Sequence, residues 1–437
     1  SVLAGADGVY GIDAVVLSTS CGWPINLPKS RFIVPGEKIA SHERPLIMSD
    51  EMWASVYADE EKLANGVRPM FVFRANLKDE PTKLTKEKVR VFAGCPLNML
   101  ILVRKYFLPL SKFFLEHRFL TECAVGLNCV GDEWSQLAEH VTRFGPNRMI
   151  AGDYKSFDNK MSSQVTFAGM KILIAIAEWA GYSDRQLAIM RGLGTEICCP
   201  MYEVNGDFLM VSGSGPSGHP MTVILNNIVN SLYMRYAYYI SQWAVKNGLC
   251  VQNALEVLPK CPEVDCDRFA DVVSLMCYGD DNVMSVSESV CGFDHTSISA
   301  ILGHFGVEYT MADKSSESVP FISLGEISFL KRKFVYSDLY KCYMAPLEMT
   351  SILKSLHCVK ESKDISLREQ TAEVVENSIF EFFLHGQDVF TQAREKMSRI
   401  VKEAVLVPYL RDGRLATYEE CEQRFLGSVN CPVVSGR

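Results

Sequence analysis

Residues 277–285 read CYGDDNVMS, and they place two adjacent carboxylates, Asp280 and Asp281, between two apolar stretches. Val272, Val273, Leu275 and Met276 precede them and a strand-like Asn-Val-Met-Ser-Val follows, the pattern of a β-hairpin with a tight turn. Gly279 supplies the permissive backbone. Like charges at such a tip repel each other, and nothing in the stretch neutralises them. The tetrapeptide alone fits either an ordinary solvated acidic turn or a tip that holds a cation.

At 437 residues the chain is longer than one core usually grows, so two or three subdomains are expected. Hydrophobic residues make up 48% and aromatic residues 10%, which excludes disordered and fibrous classes. No apolar run reaches the length of a membrane helix; the densest, Ile172 to Trp179, is interrupted by Glu178. The start carries no secretory signal, and without an initiator Met it reads as a fragment or processed product. The 15 cysteines are odd in number, Cys198 and Cys199 are adjacent, and no Cys-x-x-Cys occurs, so reduced cysteines are expected. Cys261 and Cys266 are the nearest approach to a ligand pair, and without a second pair no zinc site is expected.

A net charge of −8 does not advertise a nucleic-acid binder. The charge is uneven, however. Between Lys78 and Lys105, seven basic residues (Lys78, Lys83, Lys86, Lys88, Arg90, Arg104, Lys105) face three acidic ones. In an extended strand Lys86, Lys88 and Arg90 share one face, an arrangement suited to phosphates.

Residues 17–28 are loop-like, with Gly22, Pro24 and Pro28. Residues 149–163 run from an apolar strand through an acidic turn to Ser162 and Ser163, either a credible N-cap for the helix that follows. Gly213, Gly215 and Gly218 loosen a loop that feeds a long, buried helix. Residues 245–271 read as a surface excursion, and the last hundred residues as a helical subdomain in which Gly386 stops one helix and Val389, Phe390, Ala393, Met397, Ile400, Val401 and Ala404 recur at helical spacing.

Holding two divalent ions for an in-line phosphoryl transfer takes carboxylates that converge from different strands. Asp153, at the end of an apolar strand, is a suitable partner for Asp280 and Asp281, and magnesium prefers such oxygen ligands. The order of motifs is more specific. STSCGWP (18–24), KDE with KVR (78–80, 88–90), DYKSFD (153–158), PSGHPMTVILN (216–226), YGDD (278–281), ADKS (312–315) and FLKR (329–332) follow one another as they do in the RNA-dependent RNA polymerases of picornaviruses and picorna-like viruses, which the chain resembles over nearly its whole length.

That resemblance implies an α+β right-hand polymerase, with fingers, a palm of antiparallel sheet flanked by helices, and a helical thumb. Fingers take residues 1–108 and a return at 196–215, palm 109–195 and 216–340, and thumb 341–437. It implies template-directed RNA synthesis from ribonucleoside triphosphates by a two-metal mechanism that replicates a positive-strand RNA virus genome, with Mg2+ as cofactor and Mn2+ as a substitute. Asp153 and Asp280 correspond to the metal-bridging carboxylates, with Asp281 auxiliary. Lys314 corresponds to a general acid for the departing pyrophosphate. Lys78, Lys88 and Arg90 correspond to triphosphate ligands. Asp158 matches the ribose sensor, accepting a bond from the 2′-hydroxyl, with Ser217, Thr222 and Asn226 completing that network. Ser18, Thr19, Ser20 and Gly22 match a template-guiding loop, and Phe329, Leu330, Lys331 and Arg332 a turn that grips the primer. The implied partners are template and primer RNA, ribonucleoside triphosphates, a small viral protein primer and other viral replication proteins, in membrane-associated complexes of the host cytoplasm.

His219, Pro220 and Met221 depart from the family by filling positions where picornaviruses carry smaller residues. The chain begins just before the STSCGWP motif, which leads us to expect a missing N-terminal fingers segment and reduced activity. Two other readings are a reverse transcriptase, against which Asp158 and Asn226 speak, since those enzymes carry a bulky aromatic at the position of Asp158, and a non-catalytic RNA-binding module of the same shape.

Overall fold

The computed structural model describes residues 2–6, 9, 11–38, 44–80, 82, 89–258, 268–312, 316–359, 362 and 365–429. In chain order its strands are β1 (Ile33–Pro35), β2 (Leu46–Met48), β3 (Val72–Leu77), β4 (Val91–Gly94), β5 (Met149–Tyr154), β6 (Met201–Val204), β7 (Asp207–Met210), β8 (Val273–Tyr278), β9 (Asp281–Val286), β10 (Tyr309–Met311), β11 (Val335–Ser337) and β12 (Cys342–Met344). They form two four-stranded sheets, ordered β4-β3-β6-β7 and β10-β5-β9-β8, and two small ribbons.

The first large sheet joins distant parts of the chain, because β3 pairs antiparallel with β4 and parallel with β6. β6 and β7 close through Asn205 and Gly206, both at positive φ (53° and 98°), the turn that matches the natural twist of a two-residue hairpin. Behind this sheet the helices Asp50–Ala64, Leu97–Glu116, Ser163–Trp179 and Asp184–Cys198 share one core. A buried carboxylate ties the layers together: Glu196 accepts from Arg68 Nε at 3.1 Å and from the Met70 N–H at 3.3 Å.

Strands β5, β8 and β9 are buried along almost their whole length, so buried side chains fall on both faces of the second sheet. The two-residue period still sorts their side chains. Ile150, Tyr154, Leu275, Cys277, Met284 and Val286 join the large core with Leu225, Val229 and Tyr233 of the long helix Thr222–Lys246. Met149, Ala151, Met276 and Val283 point the other way, into a second core with Trp134, Phe329 and Phe334. Each fully buried side chain of this kind contributes about 1.5–3 kcal/mol, which fixes the register of all four strands.

The C-terminal helices Met349–His357, Leu367–Phe383, Gln387–Glu403 and Tyr418–Val429 surround a third core that includes Phe383, Phe390 and Phe425. Gly386, at φ +95°, separates the second of these helices from the third. The helix after β5 starts at Ser163 with Ser162 as N-cap, although the Ser162 side chain makes no capping hydrogen bond. The supposed surface excursion includes a helix, Val251–Val257, with Ala254 buried, while Cys261 and Cys266 lie outside the described residues. Helix Leu97–Glu116 runs unbroken across residue 108.

Candidate active site

Strands β8 and β9 pair from Val273↔Val286 to Tyr278↔Asp281, leaving Gly279 and Asp280 as a two-residue turn. Gly279 has φ +60°, the conformation such a turn needs at its first position. On the other side of β9, the ladder with β5 ends at Gly152↔Asn282. One step further sets Asp153 beside Asp281, and alternation turns both away from the long helix, onto the same face. Asp280 is exposed at the tip, whereas Asp153 and Asp281 are half-buried. Two strands and a turn thus bring Asp153 and the distant pair Asp280 and Asp281 to one edge of the sheet.

The opposite face of this edge is tied by amides. Asn230, fully buried on the long helix, donates from Nδ2 to the carbonyls of Gly279 (3.0 Å), Asp280 (2.9 Å) and Asp281 (3.3 Å). Its Oδ1 accepts from the Tyr154 hydroxyl at 2.9 Å and from Asn282 Nδ2 at 3.1 Å. Asn282 Oδ1 in turn accepts from the Tyr309 hydroxyl at 2.7 Å. Burial pushes the Tyr154 and Tyr309 hydroxyls well above the ordinary tyrosine range, so both stay protonated as donors. Gly152 makes room for this contact, since a Cβ there would stand 2.0 Å from Tyr309 Cζ.

Asp158 and Asn226 meet, with Asn226 Nδ2 donating to Asp158 Oδ1 at 2.9 Å. The Gly215 N–H donates to the Asp158 carbonyl at 2.8 Å, which binds the glycine-rich loop to the same turn. Thr222 opens the long helix and its hydroxyl donates to the His219 carbonyl at 2.7 Å. Ser217 Oγ accepts from the Ala93 N–H at 3.4 Å. Gly218 is obligatory, because a Cβ would stand 1.6 Å from the Ala93 carbonyl oxygen. His219 is buried, its Nδ1 accepts from the Met221 N–H at 3.2 Å, and burial pulls its pKa down to about 3. It is a neutral structural histidine.

Ser18, Thr19 and Ser20 are exposed, and Gly22 is buried at φ +73°. The loop they form is held by Lys29, which is buried and donates from Nζ to Thr19 Oγ1 (2.5 Å) and to the Ser20 carbonyl (2.7 Å). Burial lowers the Lys29 pKa, and the Cys21 and Cys95 thiols partly counter it. Lys78 and Arg90 stand together, the Lys78 N–H donating to the Arg90 carbonyl at 2.8 Å, and Arg90 reaches Glu80 at 3.5 Å. Lys88 and Lys314 lie outside the described residues.

Phe329 and Arg332 exchange backbone hydrogen bonds around Leu330 and Lys331, which both have positive φ (55° and 63°). Phe329 is buried and Lys331 exposed, 3.8 Å from Glu348. Arg332 is engaged elsewhere: it forks onto Glu381 at 2.9 and 2.7 Å and donates to the Ala345 carbonyl at 2.7 Å.

Among the described residues no three His, Cys, Asp or Glu side chains form a closed metal cage. The donor set at the hairpin edge fits magnesium nevertheless, because that ion takes one or two carboxylates and completes its shell with substrate phosphates and water. Tyr154, Asn230, Asn282, Tyr309 and Lys29 were not singled out from the sequence. For Asn230 a signal existed, since it lies one turn beyond Asn226 on the same face of a helix that is apolar on most faces. Asn282 and Tyr309 carried none, because only strand pairing brings them together.

The chain is 29% identical over 358 residues to the replicase polyprotein of Cricket paralysis virus, covering 79% of this chain and 19% of that polyprotein. It is 29% identical over 438 residues to the RNA1 polyprotein of Cowpea mosaic virus, covering 96% of this chain and 22% of that polyprotein. It therefore spans about a fifth of the length of these relatives. Its fold matches the Sicinivirus 3Dpol RNA dependent RNA polymerase with a TM-score of 0.75 at 18% identity, covering 98% of this chain and 81% of that one, so the α+β right-hand fold expected from the motifs is the fold of this chain. Residues 1–404 match the family of viral RNA-dependent RNA polymerases, and the chain belongs to that family.

Proposed function

We propose that this chain extends an RNA primer on an RNA template, joining ribonucleoside monophosphate units to the 3′-hydroxyl and releasing pyrophosphate. The observation that carries this reading is the register of β5 against β9, which sets Asp153 beside Asp281 with Asp280 at the adjoining tip. These carboxylates would hold Mg2+, with Mn2+ as a substitute, and the bound ions would stabilise charge on the attacking and leaving oxygens. Lys78, Lys88 and Arg90 bind the triphosphate, Lys314 protonates the departing pyrophosphate, and Asp158 with Asn226, Ser217 and Thr222 reads the 2′-hydroxyl. The remainder of the catalysis is positioning.

Residues 1–108 and 196–215 serve as fingers, 109–195 and 216–340 as palm, and 341–437 as thumb. Template follows the loop of Ser18, Thr19, Ser20 and Gly22, and the primer lies against the turn Phe329–Arg332. A small viral protein as primer and a place in membrane-associated complexes of the host cytoplasm complete the proposal. Among the described residues no helix is long and apolar enough to cross a membrane.

The test is extension of a primed RNA template with Mg2+ and ribonucleotides by the parent chain and by Asp280→Ala. Product from the parent alone supports the reading, and equal product from both sinks the assignment of the hairpin. The Asp158–Asn226 bond favours ribonucleotides over the reverse-transcriptase reading, and deoxyribonucleotides offered to the parent provide the comparison.

A further inference from the structure

We infer that Asn230 is the positioning residue of the catalytic edge: one buried side chain that sets the ends of both carboxylate-bearing strands relative to each other. This rests on the reading of Asp153 and Asp280 as the metal-holding carboxylates and deepens it. The orientation of the Asn230 amide follows from its surroundings. Nδ2 meets only acceptors, the carbonyls of Gly279, Asp280 and Asp281, and Oδ1 meets the hydroxyl of Tyr154 and the amide of Asn282. A flip would face three carbonyls with a fourth oxygen. The Asn282 amide is fixed in the same way, since its Nδ2 goes to Asn230 and its Oδ1 takes the Tyr309 hydroxyl.

Neighbourhood in sequence turns these bonds into a device. Tyr154 follows Asp153 on β5, and Asn282 follows Asp281 on β9. A shift of Asn230 is therefore felt on both sides of the carboxylate cluster. The turn is a two-residue loop with a glycine at its first position, and Asn230 bonds the carbonyls of both turn residues. Asn230 is fully buried within the long helix, and its partners Asn282 and Tyr154 are buried with it, as is Tyr309, which bonds Asn282. Buried polar groups are tolerated when every one is paired, and a paired network admits few alternative geometries. The bonds of Asn230 Nδ2 act on backbone carbonyls and not on carboxylate oxygens, which makes the role one of positioning and not of catalysis.

The experiment compares the parent chain with Asn230→Ala and Tyr154→Phe, measuring steady-state primer extension with Mg2+ and, separately, Mn2+ binding by electron paramagnetic resonance of the free ion. For Asn230→Ala we expect kcat to fall about 30- to 100-fold while KM for the ribonucleotide stays within about twofold, because a misplacement of about 1 Å acts on the reacting geometry. Mn2+ binding should weaken in the same variant. Tyr154→Phe removes one donor to Asn230 and keeps the ring, so the same two quantities should move in the same direction by less. A kcat and an Mn2+ affinity of Asn230→Ala equal to the parent's, or a loss carried by KM alone, overturn the inference. Should Asn230→Ala fail to fold, Tyr154→Phe decides, and parental values for it overturn the inference. A parent that neither extends primer nor binds Mn2+ overturns the functional reading and the inference with it, whereas an active parent matched by both variants overturns the inference alone.

Discussion

Asn226 Nδ2 donates to Asp158 Oδ1 at 2.9 Å, joining the long helix to the turn after β5 across 68 positions of sequence. A carboxylate offers about four lone-pair sites, so this bond orients Asp158 and leaves it able to accept from a ribose hydroxyl. Asn226→Ala should lower the preference for ribo- over deoxyribonucleotides by about 10- to 100-fold, the usual penalty when a site built for a hydroxyl loses part of its hydrogen bonding. The ratio of kcat/KM for the two substrates measures it, and an unchanged ratio would remove Asn226 from sugar recognition.

Gly152→Ala tests the room left for Tyr309. The new Cβ would stand 2.0 Å from the ring, which must move, and Asn282 would lose its donor. Overpacking of this kind costs about 1–3 kcal/mol, which urea unfolding should show.

Arg332 is engaged by Glu381 through a two-bond fork with both side chains mostly buried. Glu381→Ala leaves the guanidinium without its carboxylate and should destabilise the chain by about 1–3 kcal/mol. If Arg332 acts by holding the turn Phe329–Arg332, then Glu381→Ala and Arg332→Ala weaken primer binding equally. A much larger loss in Arg332→Ala would mean that its guanidinium touches RNA directly.

Lys29→Met removes the ammonium that bonds Thr19 Oγ1 and the Ser20 carbonyl. The loop should loosen, so template dissociation constants should rise while KM for the ribonucleotide stays unchanged. Fluorescence anisotropy of labelled single-stranded RNA gives the first quantity and extension kinetics the second.

Acid should destabilise the fold in part through His219. Its pKa is lowered from 6.5 to about 3 by burial, so between those values the unfolded chain binds a proton that the folded chain refuses. The contribution is present above pH 6.5 and is lost as pH falls toward 3. Burial lowers His140 and His295 in the same direction. His219→Gln should therefore make the stability of the chain fall less steeply with acid, by up to about 1.4 kcal/mol per pH unit, in urea unfolding at pH 4 to 7.

Much of this protein was legible in one dimension because its chemistry depends on local order. Gly279 with Asp280 and Asp281 between two apolar runs specifies a hairpin with acidic residues at its tip, and Asp153 at the end of an apolar run specifies a carboxylate at a strand edge. The glycines before Thr222 and the apolar stretch after it specify a loop and a buried helix. Motif order then identified the fold, since seven short matches in sequence constrain a chain far more than any single one. What tertiary structure alone decided is how these pieces are held. Nothing near Asn230 in sequence says that its amide caps a turn about fifty residues away, nor that Tyr309 reaches Asn282 through space that Gly152 leaves open. Arg332 looks free for RNA until Glu381 is folded against it, and Lys29 looks like a solvated lysine until the loop closes over it. Local propensity and spacing act within a few residues, whereas the satisfaction of buried polar groups is settled among residues that only chain folding makes neighbours.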